Sequence, residues 1–110
     1  MAGWYELSNS SDGQFRFVLK AGSGDILLTS ELYKAKSAAE NGIASVQENS
    51  PLDERYERKT ASNGKVFFNL KAANHQVIGT SQMHATEALR ESHIASVKAD
   101  GPSGTVKDNT

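Results

Sequence analysis

The 110-residue chain contains no cysteine, which excludes disulfides and thiolate chemistry and fits a reducing cytoplasm. It has no charge imbalance either: 12 Lys and Arg against 13 Asp and Glu leave a formal net charge of −1. That balance removes the global electrostatic case for nucleic acid or an anionic membrane as partner. No apolar run approaches bilayer length. The opening Met-Ala-Gly-Trp-Tyr-Glu has no basic segment leading into an apolar stretch, so no signal peptide is predicted. What remains is 37% apolar and 23% charged, the composition of a globular protein expected in the cytoplasm.

What the chain does have is itself, twice. Slid by 51 residues it matches without a gap: Tyr5-Glu6 falls on Tyr56-Glu57, and Thr29-Ser30 on Thr80-Ser81. Ile43-Ala44-Ser45-Val46 falls on Ile94-Ala95-Ser96-Val97, and Pro51 on Pro102. A gapless repeat places equivalent turns and helices at equivalent positions, so residues of about 4–51 and 55–102 form two units. A unit of about 50 residues buries too little apolar surface alone. The two are therefore expected to share one core as a single pseudo-twofold domain over 1–110.

Each unit reads as three strands and a helix. Trp4 to Ser8, Gln14 to Lys20 and Asp25 to Thr29 are the first unit's strands. Asp12-Gly13 and Asn63-Gly64 stand between alternating runs, a strong hairpin signal for which type I′ turns are expected. In the second turn Ala21-Gly22-Ser23-Gly24 is matched by the glycine-free Ala73-Asn74-His75, where Asn74 is expected to tolerate the left-handed conformation. Helices are predicted over about Lys36 to Glu48 and Glu87 to Ala99. A Ser37/Glu40 capping box is expected on the first and a weaker cap, with Thr86 serving, on the second. Pro51 and Pro102 stop them. Arg55 to Thr60 closes one unit and opens the other, and about Thr105 to Asp108 forms the last strand. The order βββα-βββα-β implies an antiparallel α+β fold with two helices on one sheet face. Phe15, Phe17, Leu19, Val66, Phe68 and Leu70 form the covered side, and Arg16, Lys20, Phe67, Asn69 and Lys71 the open one.

Candidate chemistry is sparse. His75, His84 and His93 have no metal-ligand spacing and read as separate surface or packing histidines. His93 occupies the place of Gly42 beside inward Ile94, where a glycine lets helix and sheet approach closely, and is expected to be partly buried. Thr29-Ser30 and Thr80-Ser81 lack a positioned base and read as loop hydrogen-bonding residues. Arg55, Arg58, Lys59, Lys65 and Lys71 alternate with Tyr56, Phe67 and Phe68, a pattern of single-strand nucleic-acid surfaces, although Asp53, Glu54 and Glu57 interrupt it.

Four stretches carry a family likeness: Phe15 to Gly22, Asn41 to Val46, Arg55 to Lys65 and Phe68 to Gly79. In them the chain resembles the YegP-like family of small uncharacterised bacterial proteins, over essentially its whole length. The resemblance implies two β3-α-β motifs, as tandem repeats or as two subunits, that assemble one sheet and exchange their C-terminal strands. It implies a monomer acting as an internal pseudo-dimer and supplies no catalytic residue. His93 departs from the glycine usual before the Ile-Ala-Ser-Val motif, so the two helices are not expected to pack equivalently.

The functional expectation is a non-catalytic cytoplasmic module for a protein or peptide partner, without cofactor or metal. Two alternatives stand beside it. One is weak single-stranded nucleic-acid binding through Arg58, Lys59, Phe67 and Lys71; the other is a small ligand at the turn from Lys71 through Asn74 and His75.

Overall fold

A computed structural model describes residues 3–110. Alternation builds the strands β1 (Trp4–Asn9), β2 (Phe15–Lys20) and β3 (Ile26–Thr29), followed by helix α1 (Lys36–Asn49). After a 3₁₀ turn at Asp53–Arg55 come β4 (Tyr56–Thr60), β5 (Val66–Lys71), β6 (Val77–Thr80), helix α2 (Glu87–Asp100) and β7 (Val106–Asp108). All seven strands form one sheet in the order β4-β5-β6-β3-β2-β1-β7. The units meet at the centre, where Thr29 of β3 pairs antiparallel with Thr80 of β6. Every pairing is antiparallel except β1 with β7, which is parallel. No helix among the described residues is long and apolar enough to cross a membrane.

The strands that follow the helices are exchanged. β4 leaves α1 and pairs with β5 of the other unit, in the place β1 holds beside β2. β7 leaves α2 and crosses to the opposite end of the sheet, where β1 already flanks β2, so it adds outside β1.

Tyr5, Leu7, Phe17, Leu19, Tyr56, Phe68 and Leu70 face Ala39, Ile43, Val46, Ile94 and Val97 of the helices in one core. Two tyrosines tie the units across it. The Tyr5 hydroxyl donates to the Gly101 carbonyl at 2.6 Å, and its repeat-mate Tyr56 donates to the Ser50 carbonyl, the equivalent helix end, at 2.7 Å. Both phenols have their pKa raised, chiefly by burial. The helix ends touch there: a Cβ at Gly101 would lie 2.1 Å from Ser50 Oγ and 2.7 Å from the Val97 carbonyl oxygen, so position 101 has no room for a side chain.

Three local expectations are corrected. The hairpins form at Asp12-Gly13 and Asn63-Gly64, but only the glycines have positive φ (85° and 82°). They are therefore type I turns closed by a left-handed glycine rather than type I′ turns. In the β5–β6 turn the left-handed residue is His75 (φ 70°), which stands where Gly24 does, and not Asn74. Asn74 serves one position earlier, its Oδ1 accepting the Gln76 N–H at 3.1 Å. Finally, α1 begins after Ala35 with no side-chain cap, so the Ser37/Glu40 box does not form. It is α2 that is capped, with Thr86 Oγ1 accepting the Leu89 N–H at 3.2 Å. The reason is position: Ala35 and Thr86 are repeat-mates at the N-cap, and only threonine has an oxygen to offer.

Candidate functional site

The open sheet face is charged but locally neutralised. Glu57 stands between the predicted cations: Lys71 Nζ lies 2.8 Å and Lys59 Nζ 3.8 Å from its carboxylate. Asn69 donates to the same group at 3.1 Å, and Lys71 and Asn69 hold the Glu57 pKa below its ordinary value. Phe67, beside them, is half-buried. The first unit repeats the device, with Lys20 Nζ 3.2 Å from Glu6. There Trp4 Nε1 donates to Glu6 at 2.8 Å while the Lys107 ammonium sits 4.6 Å from the Trp4 ring centre. A surface that pairs Lys20, Lys59 and Lys71 with adjacent glutamates offers little to a phosphate backbone.

The six predicted site residues do not converge. Lys59, Phe67 and Lys71 share the open face, but strand alternation sends Arg58 to the helix side. There its guanidinium meets Glu91 at 2.9 Å and Asp53 at 3.1 Å, and Lys98 reaches the same Asp53 at 2.7 Å. Both carboxylates are held below their ordinary pKa by these cations. Asn74 and His75 lie at the β5–β6 turn, exposed. Asn74 lines a cavity of about 350 Å³ with Ala72, Ala73, Leu52, Arg55 and the end of α1. Arg55 donates to Asn49 Oδ1 at 2.9 Å on that wall.

The serines act as read. Ser30 Oγ accepts the Phe17 N–H at 2.9 Å and donates to the Glu31 carbonyl at 2.7 Å. Ser81 Oγ accepts the Phe68 N–H at 3.0 Å and donates to the Gln82 carbonyl at 2.9 Å. Neither is placed to act as a nucleophile.

The histidines hold what sequence reasoning missed. His84 and His93 are not separate: their rings lie 4.3 Å apart, edge to face. His84 is 6% exposed and stacks on Phe68, with both ring nitrogens buried and without a hydrogen-bond partner. Burial, then the neighbouring His93, pushes its pKa down. In the first unit the same corner is Tyr33 stacked on Phe17 over Gly42. A Cβ at Gly42 would lie 2.6 Å from the Tyr33 hydroxyl. The glycine therefore makes room for the Tyr33 ring and also for the close approach of Phe17 on the sheet, which a Cβ would meet at 2.9 Å. In the second unit a smaller imidazole leaves space that His93 fills. The signal was present, since positions 33/84 and 42/93 both differ between the repeats. Among the described residues no group of three or more histidine, aspartate or glutamate side chains converges on a metal-sized space.

A family model described as "Domain of unknown function (DUF1508)" matches twice, at residues 10–57 and 61–108. The chain belongs to the DUF1508 family. Among its relatives the UPF0339 protein YegP of Escherichia coli (strain K12) is 73% identical over 110 residues, with each chain covered in full. A UPF0339 protein of Acinetobacter baylyi is 67% identical, covering 100% of this chain and 99% of that one. The solution NMR structure of the E. coli protein of unknown function yegP matches with a TM-score of 0.95, covering 100% of this chain and 95% of that chain. That of a UPF0339 protein from Shewanella oneidensis, 60% identical, matches with a TM-score of 0.93 over 98% and 92%. Each DUF1508 match begins in the turn before β2 or β5 and ends inside β4 or β7. The repeat thus ends on its exchanged strand, and the whole of β1 lies outside both matches.

Proposed function

We propose that this chain is a non-catalytic interaction module that works in the cytoplasm as a single chain, an internal pseudo-dimer, and recognises a protein or peptide along its sheet. One observation carries the reading: the two ends of the sheet are unequally finished. β1 is covered by β7, whereas β4 ends the sheet. The contrast reaches individual residues, because Leu7 is 1% exposed and its repeat-mate Arg58 is exposed to solvent. An uncovered edge is a template for β-strand addition. The absence of cysteine supports a reducing compartment.

The test is recovery of a partner from native lysate with and without nuclease, followed by mapping on the chain's amide spectrum. The expected result is a nuclease-resistant partner whose shifts cluster on β4 and vanish in Thr60→Pro, checked to keep the native spectrum. Recovery abolished by nuclease replaces this reading with nucleic-acid binding. A second reading rests on the cavity beside Asn74 and Arg55: a small ligand bound there shifts Ala73 and Asn74 amides and leaves β4 unmoved.

A further inference from the structure

The place that β7 fills beside β1 has a counterpart beside β4 that no strand among the described residues fills. Tyr5 N–H donates to the Thr105 carbonyl at 2.9 Å, and the Leu7 carbonyl accepts the Asn109 N–H at 2.8 Å. Tyr5 and Leu7 therefore turn their backbone groups towards β7. Their repeat-mates are Tyr56 and Arg58. Phe68, opposite Arg58, uses its own N–H and carbonyl on Ser81, on the β6 side. Arg58 is thus in a non-hydrogen-bonded pair with β5 and directs its N–H and carbonyl outward. The same holds for Thr60, since its partner Val66 bonds His84. At the start of the edge Asp53 replaces Thr105, its carbonyl taking the Tyr56 N–H. The seat is finished at that end and open beyond it.

Side chains set what the seat accepts. β7 is fixed on β1 by Asp108, which pairs with Lys36 at the start of α1. The repeat-mate of Lys36 is Glu87, at the start of α2, and it pairs with no cation among the described residues. Over the remainder of the edge, the Arg58 cation is already matched by Asp53 and Glu91. Glu87 is an unmatched charge on the helix side of this edge, and it has the opposite sign to Lys36. In that register the residue in the place of Asp108 lies opposite Arg58, whose charge Asp53 and Glu91 already engage, and on the side of Glu87, so an aspartate there meets the carboxylate that has no partner.

We propose that the outer edge of β4 binds an extended peptide segment in parallel, in the register of β7 on β1, with a lysine or arginine where β7 carries Asp108. This rests on the interaction-module reading and specifies its partner: a short β-strand with one basic residue directed at Glu87.

The test uses the full chain and two acetylated peptides, Gly-Thr-Val-Lys-Asp-Asn-Thr, which copies residues 104–110, and its Gly-Thr-Val-Lys-Lys-Asn-Thr counterpart. Amide shifts are followed to millimolar peptide. The expected result is movement of Arg58, Lys59 and Thr60, with the lysine peptide about two- to fivefold tighter, the range of a cross-strand charge pair. Glu87→Lys should invert the preference without changing the spectrum elsewhere. A nitroxide on the peptide N-terminus should broaden Tyr56 and spare Thr60. Equal affinities unaffected by Glu87→Lys overturn the charge assignment, and broadening at Thr60 instead of Tyr56 overturns the parallel register. Neither result touches the wider interaction reading. No β4 shift with either peptide overturns the edge site itself, and the interaction reading then stands or falls on the lysate partner alone.

Discussion

Two corners of this molecule occupy the same place in the repeat and are built from different residues. In one, Tyr33 lies on Phe17 over Gly42; in the other, His84 lies on Phe68 against His93. The backbone is the same in both, down to the bridges Phe15↔Tyr33 and Val66↔His84. What is preserved is the filled volume between sheet and helix: a large ring with no side chain opposite, or a smaller ring with a second one. Close-packed interiors respond to total volume more than to residue identity. The price of the histidine version is polarity, since His84 buries two ring nitrogens where the tyrosine corner keeps its hydroxyl at the ring's far end.

The comparison can be broken most forcefully by mixing the corners. Gly42→His with Tyr33 retained drives a ring into space already occupied and should cost about 3 kcal/mol or more in denaturant unfolding. Adding Tyr33→His should recover most of it, and strictly additive losses would show that the two positions are not coupled. The tyrosine ties come next. Tyr5→Phe leaves the buried Gly101 carbonyl without its donor and should cost about 1–3 kcal/mol. Tyr56→Phe should cost less, because the Tyr56 ring, 7% exposed against 0% for Tyr5, lies at the end of the sheet that no further strand covers. Equal losses would argue against edge coverage as the source of the difference.

A pH titration separates the corners more finely. The His84 pKa lies below the ordinary value of 6.5, so the unfolded chain takes up its proton first as pH falls. Stability is full above about 6.5 and is lost as pH drops from there towards the lowered folded value. His84→Tyr combined with His93→Gly rebuilds the first corner and should flatten that part of the profile, read as unfolding midpoint against pH. An unchanged slope would assign the acid loss to other groups. The smallest effect is expected at His75, whose left-handed backbone mirrors Gly24. His75→Gly relieves the backbone strain but loosens the unfolded chain, for a net gain of a few tenths to about 1 kcal/mol.

Much of the fold was legible because it is local and repeated. The hairpins, the Ser30 and Ser81 loops and the inward stripe from Phe17 to Leu70 follow from spacing seen twice. The exchange of β4 and β7 came from family resemblance, since no spacing rule distinguishes a strand that returns from one that crosses. The Tyr5–Gly101 tie spans 96 residues and leaves no local pattern beyond the recurrence of Tyr-Glu. Asn74 looked like the left-handed residue by type, but turn geometry chose the next position and left His75 to adopt it. The predicted site residues were legible as charges, not as a site. Arg58 and Lys59 are neighbours in sequence and therefore on opposite faces of a strand, and Glu57 sits where it neutralises Lys71.

The segment from Ser50 to Arg55, which carries the chain from α1 into β4, has an evolutionary consequence. When the two motifs are separate identical subunits, every substitution is made twice and must be tolerated at both symmetry-related places. Next to the axis, where a residue meets its own mate, a single change is therefore doubled. Joined in one chain, the halves mutate independently: Ser50 faces a glycine at 101, and a tyrosine corner coexists with a histidine corner. The covalent link releases the halves from identity, and Glu87 in place of Lys36 is one mark of that release at the unfinished edge of the sheet.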